Sequence, residues 1–229
     1  MTKGIFVTAT GTDIGKTFIS GLLVKKMRDL GFNCGYYKPA LSGAYPNTEG
    51  ELMPGDAEFV LKTAGIKRAP KEVVSYIYEE AVSPHLAAAR AGNLIYLDKI
   101  KHDFNRLKQE YDYLLTEGCG GIVCPINLSD KKLLLEDIIK GLNLDVIIVA
   151  DGGLGTINST VLTVEYARHH SINVKGIILN NFDENNFMHQ DNLIQTENLT
   201  GIKVIGTASK NAAELKIEKD TLLSIFKEI

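Results

Sequence analysis

Near the N-terminus the run Ala9-Thr10-Gly11-Thr12-Asp13-Ile14-Gly15-Lys16-Thr17 follows a short apolar stretch and leads into an amphipathic one. A loop in this position gathers backbone N–H groups and a helix N-terminus around one point, which suits phosphate oxygens. Lys16 then bridges the outer phosphates of a nucleoside triphosphate, and Thr17 offers its hydroxyl to Mg2+. The strict phosphate-loop pattern asks for glycine where Thr10 stands, but the closing Gly15-Lys16-Thr17 is intact. The bland alternative is a glycine turn with an exposed lysine. The strand–loop–helix setting favours phosphate.

Further chemistry-bearing residues recur after apolar runs. Thr116-Glu117-Gly118-Cys119-Gly120-Gly121 follows one of them. An acid at a strand end beside a phosphate loop can hold Mg2+, directly or through water, while the glycines allow close backbone approach. Its competitor is a capped turn with a solvated glutamate. Asp56, after Gly55, opens a helical stretch and reads first as an N-cap, a role compatible with metal binding. Lys38 precedes Pro39, so proline is expected to end the strand there and push Lys38 out at its carboxyl end. There, with Ser42 nearby, it is either an anion-binding group or a solvated edge lysine. Ser83-Pro84-His85 reads as an N-cap with proline at the first helical position, and His85 as a packed or surface histidine. His102, His169, His170 and His189 show no metal spacing, and no nucleophile elbow or catalytically framed cysteine is present.

These residues need elements to carry them. Strand candidates are 5–8, 35–38, 113–116, 145–150, 175–179 and 203–206, several of them near-continuous apolar runs of the kind buried on both faces. Between them, Ile19, Leu22, Leu23, Met27 and Leu30 form one helix face. Ile100, Phe104, Leu107 and Tyr111 form another, opened by Asp98, and a third helix follows Gly155. The alternation predicts an α/β fold, a mainly parallel sheet with helices on both faces, whose ligands sit beyond the carboxyl ends of the strands. The stretch from Ala44 to Gly55 reads as a long loop.

The 229 residues suit one domain, 1–229. A net charge of -3 leaves no electrostatic footprint for nucleic acid, and the longest apolar run is strand-sized, so no membrane span is expected. An odd set of cysteines, Cys34, Cys119 and Cys124, without metal spacing suggests reduced thiols in a cytoplasmic protein.

Taken together, Thr12 to Thr17, Tyr37-Lys38-Pro39 with Ser42-Gly43, Asp56, Ser83-Pro84-His85, Glu117-Gly118-Cys119-Gly120-Gly121 with Pro125, Gly153 to Asn158, and Asn180 resemble the dethiobiotin synthetase family, in its order and over residues 5 to about 210. That family's loop carries one residue more than the strict pattern, which accounts for Thr10 and places Ala9 where many members have glycine; Cys119 stands where alanine is frequent. The resemblance implies a phosphate-loop NTPase-like fold and ATP- and Mg2+-dependent carboxylation of 7,8-diaminononanoate with CO2, followed by ureido-ring closure. By the same resemblance, Lys16 and Lys38 are catalytic. ATP meets Thr12, Asp13, Ile14, Gly15, Lys16, Thr17, Phe18, Glu117, Gly118, Cys119, Gly120, Asn180 and Asn181. The substrate meets Ser42, Ser83, Pro84, Gly155, Thr156 and Asn158, and the metal meets Thr17, Asp56 and Glu117. The resemblance also implies a homodimer with shared active sites, in which the 153–158 segment receives the substrate carboxylate of the partner's site. Adenine-side contacts are expected from Ser209 onward.

Competing expectations are the synthetase part of an amidotransferase, for which 229 residues leave no room beside a glutaminase, and a partitioning-type ATPase, whose extra lysine is replaced here by Gly11. A regulatory nucleotide-binding module has no need of Lys38, Ser42, Asp56 and Glu117 together. The run Asn180-Asn181-Phe182-Asp183 also approaches the guanine-reading pattern Asn-Lys-x-Asp.

Overall fold

The computed structural model describes residues 1–229. In chain order it contains β1 (Lys3–Ala9), α1 (Lys16–Asp29), β2 (Cys34–Ser42), β3 (Tyr45–Pro46), β4 (Leu52–Met53), α2 (Gly55–Thr63), β5 (Val74–Tyr78), α3 (Pro84–Arg90), α4 (Leu97–Lys108) and β6 (Tyr113–Glu117). There follow β7 (Pro125–Asn127), β8 (Leu133–Leu134), α5 (Leu135–Gly141), β9 (Val146–Asp151), α6 (Thr156–His169), β10 (Val174–Asn180), α7 (Phe187–Thr200), β11 (Val204–Thr207), α8 (Lys219–Ser224) and β12 (Lys227–Glu228).

The main sheet has the order β11-β10-β9-β1-β6-β2-β5, all parallel, with β12 antiparallel to the start of β1. Its central strands are apolar along their length because helices cover both faces. Alternation along β9 shows this. Ile148 and Ala150 pack with Val164 of α6 in one cluster, while Ile147 and Val149 belong to the larger cluster on the other side. Since β1 lies between β6 and β9, the loop that follows it opens at the middle of the sheet's carboxyl edge.

All six expected strands and all five expected helical stretches are present, with differences that matter for the site. Proline does not end β2 at Lys38: the strand runs through Pro39 to Ser42. Cys34 to Tyr37 pair with β6, and Lys38 to Ser42 pair with β5, so β2 changes neighbour at Lys38. Pro39 is absent from the paired positions on either side, which is where a strand tolerates a residue without an N–H. The Ala44–Gly55 stretch contains the β3–β4 hairpin. Helix α4 starts at Leu97, one residue before Asp98, and ends before Tyr111.

Candidate active site

The turn between β1 and α1 is shaped by glycine. Gly15 has φ 91°, and a Cβ there would come within 2.2 Å of the Asn180 Nδ2 atom. That nitrogen donates to the Ile14 carbonyl at 2.9 Å, so β10 clamps the loop from behind. Helix α1 begins at Lys16, whose ammonium lies 3.5 Å from the Gly11 carbonyl inside its own loop. Burial and the neighbouring Lys38 charge hold the Lys16 ammonium below its ordinary pKa. An anion placed against the loop removes that penalty.

Beyond the loop lies a cavity of about 630 Å3 lined by Thr12, Asp13, Gly15, Lys16, Thr17, Phe18, Lys38, Ser42, Asp56, Glu117, Gly118, Cys119 and Gly120, together with Ala40, Leu41, Gly55 and Phe59. Residues spread over more than a hundred positions therefore meet at one opening. Glu117 is fully buried and Lys38 is 3% exposed, so neither is the solvated side chain of the bland alternatives. The Lys38 ammonium donates to Glu117 Oε1 at 2.7 Å and pairs with Asp56 Oδ2 at 2.5 Å. Thr17 also donates to Glu117 Oε1, at 2.8 Å, and Tyr36 donates to the other oxygen, Oε2, at 2.9 Å. Burial works against the Lys38 charge, but Glu117 and then Asp56 outweigh it and hold its pKa above the ordinary value. Burial likewise disfavours the Asp56 carboxylate, and Lys38 with the Thr17 hydroxyl more than compensates, so Asp56 stays ionised below the usual carboxylate range.

Asp56 does not cap α2. The helix begins at Gly55 after Pro54, and Asp56 sits in its first turn with its carboxylate turned to Lys38. Ser83 and Pro84 occupy the N-cap and first position of α3 as expected. The Ser83 hydroxyl, however, meets the His85 ring at 3.1 Å and makes no cap bond, and neither residue lines the cavity. Gly155, Thr156 and Asn158 open α6 beyond β9 and also lie off the cavity; Thr156 is buried and Asn158 exposed. The Asn180 nitrogen is occupied by Ile14, which leaves Oδ1 as its one free polar atom, buried and unpaired. Asn181 donates to Asp151 Oδ2 at 2.7 Å and lines a second cleft with Asp183, Ser209 and Lys210. Tyr36 is the residue that sequence reasoning missed. The signal was its spacing: two before Lys38 in the same strand puts both on one face.

The donors Thr17, Asp56 and Glu117 are hard oxygens at the mouth of a phosphate loop. Mg2+ takes one or two carboxylates, keeps several waters and completes its shell with substrate phosphates, so this set fits it.

The chain matches the family model described as an AAA domain over residues 3–213. It is 49% identical over 229 residues, all of both chains, to the ATP-dependent dethiobiotin synthetase BioD of Clostridium botulinum (strain 657 / Type Ba4). The chain belongs to the dethiobiotin synthetase family. A second member, the ATP-dependent dethiobiotin synthetase BioD of Clostridium perfringens, is 51% identical over 210 residues, 92% of each chain. Among solved structures, the MinC:MinD cell division protein complex of Aquifex aeolicus aligns with TM-score 0.56 at 12% identity, covering 91% of this chain and 82% of that one. A ParA family ATPase from Chlorobium tepidum aligns at 0.53 and 13%, covering 98% and 90%. At such identities the likeness is one of fold: dethiobiotin synthetases share the phosphate-loop NTPase sheet with these ATPases. What separates this chain from a bare phosphate-loop scaffold is the carboxylate–lysine cluster above the loop.

Proposed function

We propose that the chain is an ATP-dependent dethiobiotin synthetase, which joins CO2 to 7,8-diaminononanoate and closes the ureido ring with release of ADP and phosphate. The observation that carries the mechanism is Lys38, a buried ammonium held between two carboxylates on the wall of the phosphate-loop cavity. In the reaction one amine takes up CO2 to give a carbamate. A carbamate oxygen attacks the γ-phosphorus of ATP, and the second amine then attacks the activated carbon and expels phosphate. Phosphoryl transfer asks the protein mainly for positioning and charge neutralisation. Lys16 takes the β- and γ-phosphate side from within the loop. Lys38, fixed by Glu117 and Asp56 on the wall of the same cavity, takes the carbamate and the transferring group. Ser42, on the same strand and the same cavity wall, receives the carbamate or the amine end. Thr17, Asp56 and Glu117 are the residues that would hold Mg2+, and the bound ion would supply charge neutralisation for the outer phosphates. No side chain forms a covalent intermediate in this scheme.

Residues 1–229 act as one synthetase domain, a reading supported by the single main sheet that runs from β1 to β12. The homodimer with shared sites is supported by apolar side chains left to solvent around the 153–158 segment and on α6 and α7: Leu154 is 91% exposed, Phe187 86% and Leu162 62%. The open helix end at Thr156 suits a carboxylate approaching from a second copy. A cytoplasmic location agrees with free thiols at Cys34, Cys119 and Cys124, and no helix is long and apolar enough to cross a membrane. The switch-type ATPase reading is disfavoured by Gly11, which occupies the position of that class's additional lysine.

The deciding measurement is ADP release from ATP and Mg2+ in bicarbonate buffer, with and without 7,8-diaminononanoate. Release is expected to depend on the diamine and to match dethiobiotin formed. ATP turnover at the same rate without the diamine refutes the proposal.

A further inference from the structure

Glu117 accepts on both oxygens, and the partners of the two differ in kind. Oε1 takes Lys38 at 2.7 Å and Thr17 at 2.8 Å, both of which line the cavity. Oε2 takes Tyr36 at 2.9 Å, and Tyr36 does not line the cavity. Strand pairing explains the arrangement. Tyr36 of β2 lies opposite Leu115 of β6 and Tyr37 opposite Thr116. Side chains two apart on a strand share a face, so Tyr36, Lys38 and Glu117 rise from the same side of the sheet. Tyr37 points to the other side, where its hydroxyl meets Ser75 at 2.7 Å and the Ile100 carbonyl at 3.0 Å. The Tyr36 ring is fully buried, as is Glu117. Tyr36 is the one side chain that donates to Oε2.

We propose that Tyr36 is a positioning residue for the metal and phosphate chemistry: its hydroxyl fixes Glu117 Oε2, so that Oε1 is the oxygen presented to the cavity. The inference rests on the assignment of Glu117 to the Mg2+ site. Without the phenol, the carboxylate is free to rotate about its own axis and to share both oxygens with Lys38, so the oxygen facing the metal is no longer defined. Partners that orient a metal ligand in this way typically change metal affinity or activity by about 10- to 100-fold when removed.

The test uses Tyr36→Phe, which keeps the ring and removes only the donor. Binding of a non-hydrolysable ATP analogue is measured by calorimetry in EDTA and across a Mg2+ titration, beside Glu117→Ala and the double variant. Binding in EDTA is expected to stay within about twofold of the parent, while the Mg2+ concentration for half-saturation rises about tenfold. In turnover, kcat recovers at high Mg2+ while the Mg2+ requirement stays raised, a split that lost packing does not produce. In the Glu117→Ala background Tyr36→Phe should add nothing, because the path through the carboxylate is already gone. An unchanged Mg2+ requirement in folded Tyr36→Phe, with Glu117→Ala shifted, overturns the role of Tyr36 alone. Equal weakening with and without metal overturns it as well. No shift in Glu117→Ala removes Glu117 from the metal set and Tyr36 with it. If Tyr36→Phe does not fold, Tyr36→Phe with Glu117→Ala decides, because alanine removes the stranded oxygen altogether. Recovery of folding identifies the stranded Oε2 as the defect, as expected, and failure to recover overturns the inference.

Discussion

Replacing Lys38 by methionine keeps most of the buried stem and deletes the charge. In the parent protein the ammonium stands 2.7 Å from one carboxylate and 2.5 Å from another. At an effective dielectric of about 20, each contact has a gross Coulomb energy of roughly 6 kcal/mol. Most of that is cancelled by the cost of bringing the charges out of water, so the pair itself adds little net stability. Removing one partner is different. Glu117 remains fully buried with only Tyr36 and Thr17 to satisfy it, and breaking such a pair costs about 3–5 kcal/mol. Asp56 is half-exposed and reorients toward water, which puts the expected loss near the lower bound, about 3 kcal/mol. For a chain of this length that lowers Tm by roughly 6–12 °C. Turnover falls independently, because a charge donor aimed at the transferring group is worth about a hundredfold or more in kcat. Differential scanning calorimetry and steady-state assays on one preparation read both effects. Saturating Mg2+ and nucleotide should restore much of the lost Tm by mass action without restoring kcat. A Lys38→Met protein with parental Tm and kcat/KM within threefold of parent refutes both the burial argument and the assigned role.

Gly15→Ala places a methyl against Asn180 at a positive φ, and should abolish nucleotide binding and lower Tm by several degrees; an unchanged affinity in isothermal titration contradicts the tight-loop geometry. Cys119 lines the cavity, and contact with Cys124, helped by Lys38 and Lys16, holds its thiol below the ordinary pKa, whereas burial pushes Cys34 up to about 12. Iodoacetamide followed by peptide mass spectrometry should therefore label Cys119 first, more slowly with ATP present, and faster labelling of Cys34 contradicts this. Mixing a Lys16→Ala protein with one disrupted at Gly155 to Asn158, under subunit exchange, should return about a quarter of parental activity if each site spans two copies; no return after confirmed exchange refutes shared sites. ATP should give a higher kcat/KM than GTP, and the opposite ranking assigns base reading to Asp183.

The phosphate loop, the parallel sheet and the acid that ends β6 were legible because each is a local pattern: an apolar run, a glycine-rich turn, a polar residue at a strand end. The edge strand β5 was not. It touches only one neighbour, and its alternating burial lacks the continuous apolar run that marks the central strands. Without β5 in view, Pro39 looks like a strand terminator and Lys38 like a surface residue. The ion cluster depends on pairing between β2 and β6, some eighty positions apart, which no single segment encodes. Tyr36 was hidden for the same reason: an aromatic in a strand reads as core until its hydroxyl is given a partner across the sheet.

The change of neighbour along β2 divides labour within one strand. Up to Tyr37 the strand's backbone is paired with β6 and shares the fate of the nucleotide loop; from Lys38 its backbone is paired with β5 and no longer with β6, which ends at Glu117. Sequence drift in β5 or the β3–β4 hairpin can therefore tilt the Ser42 end while the backbone around Lys16 and Glu117 stays anchored at the centre of the sheet. A fold arranged this way can alter which acceptor it places beside the phosphate without rebuilding the part that grips the nucleotide, with Lys38 as the pivot common to both.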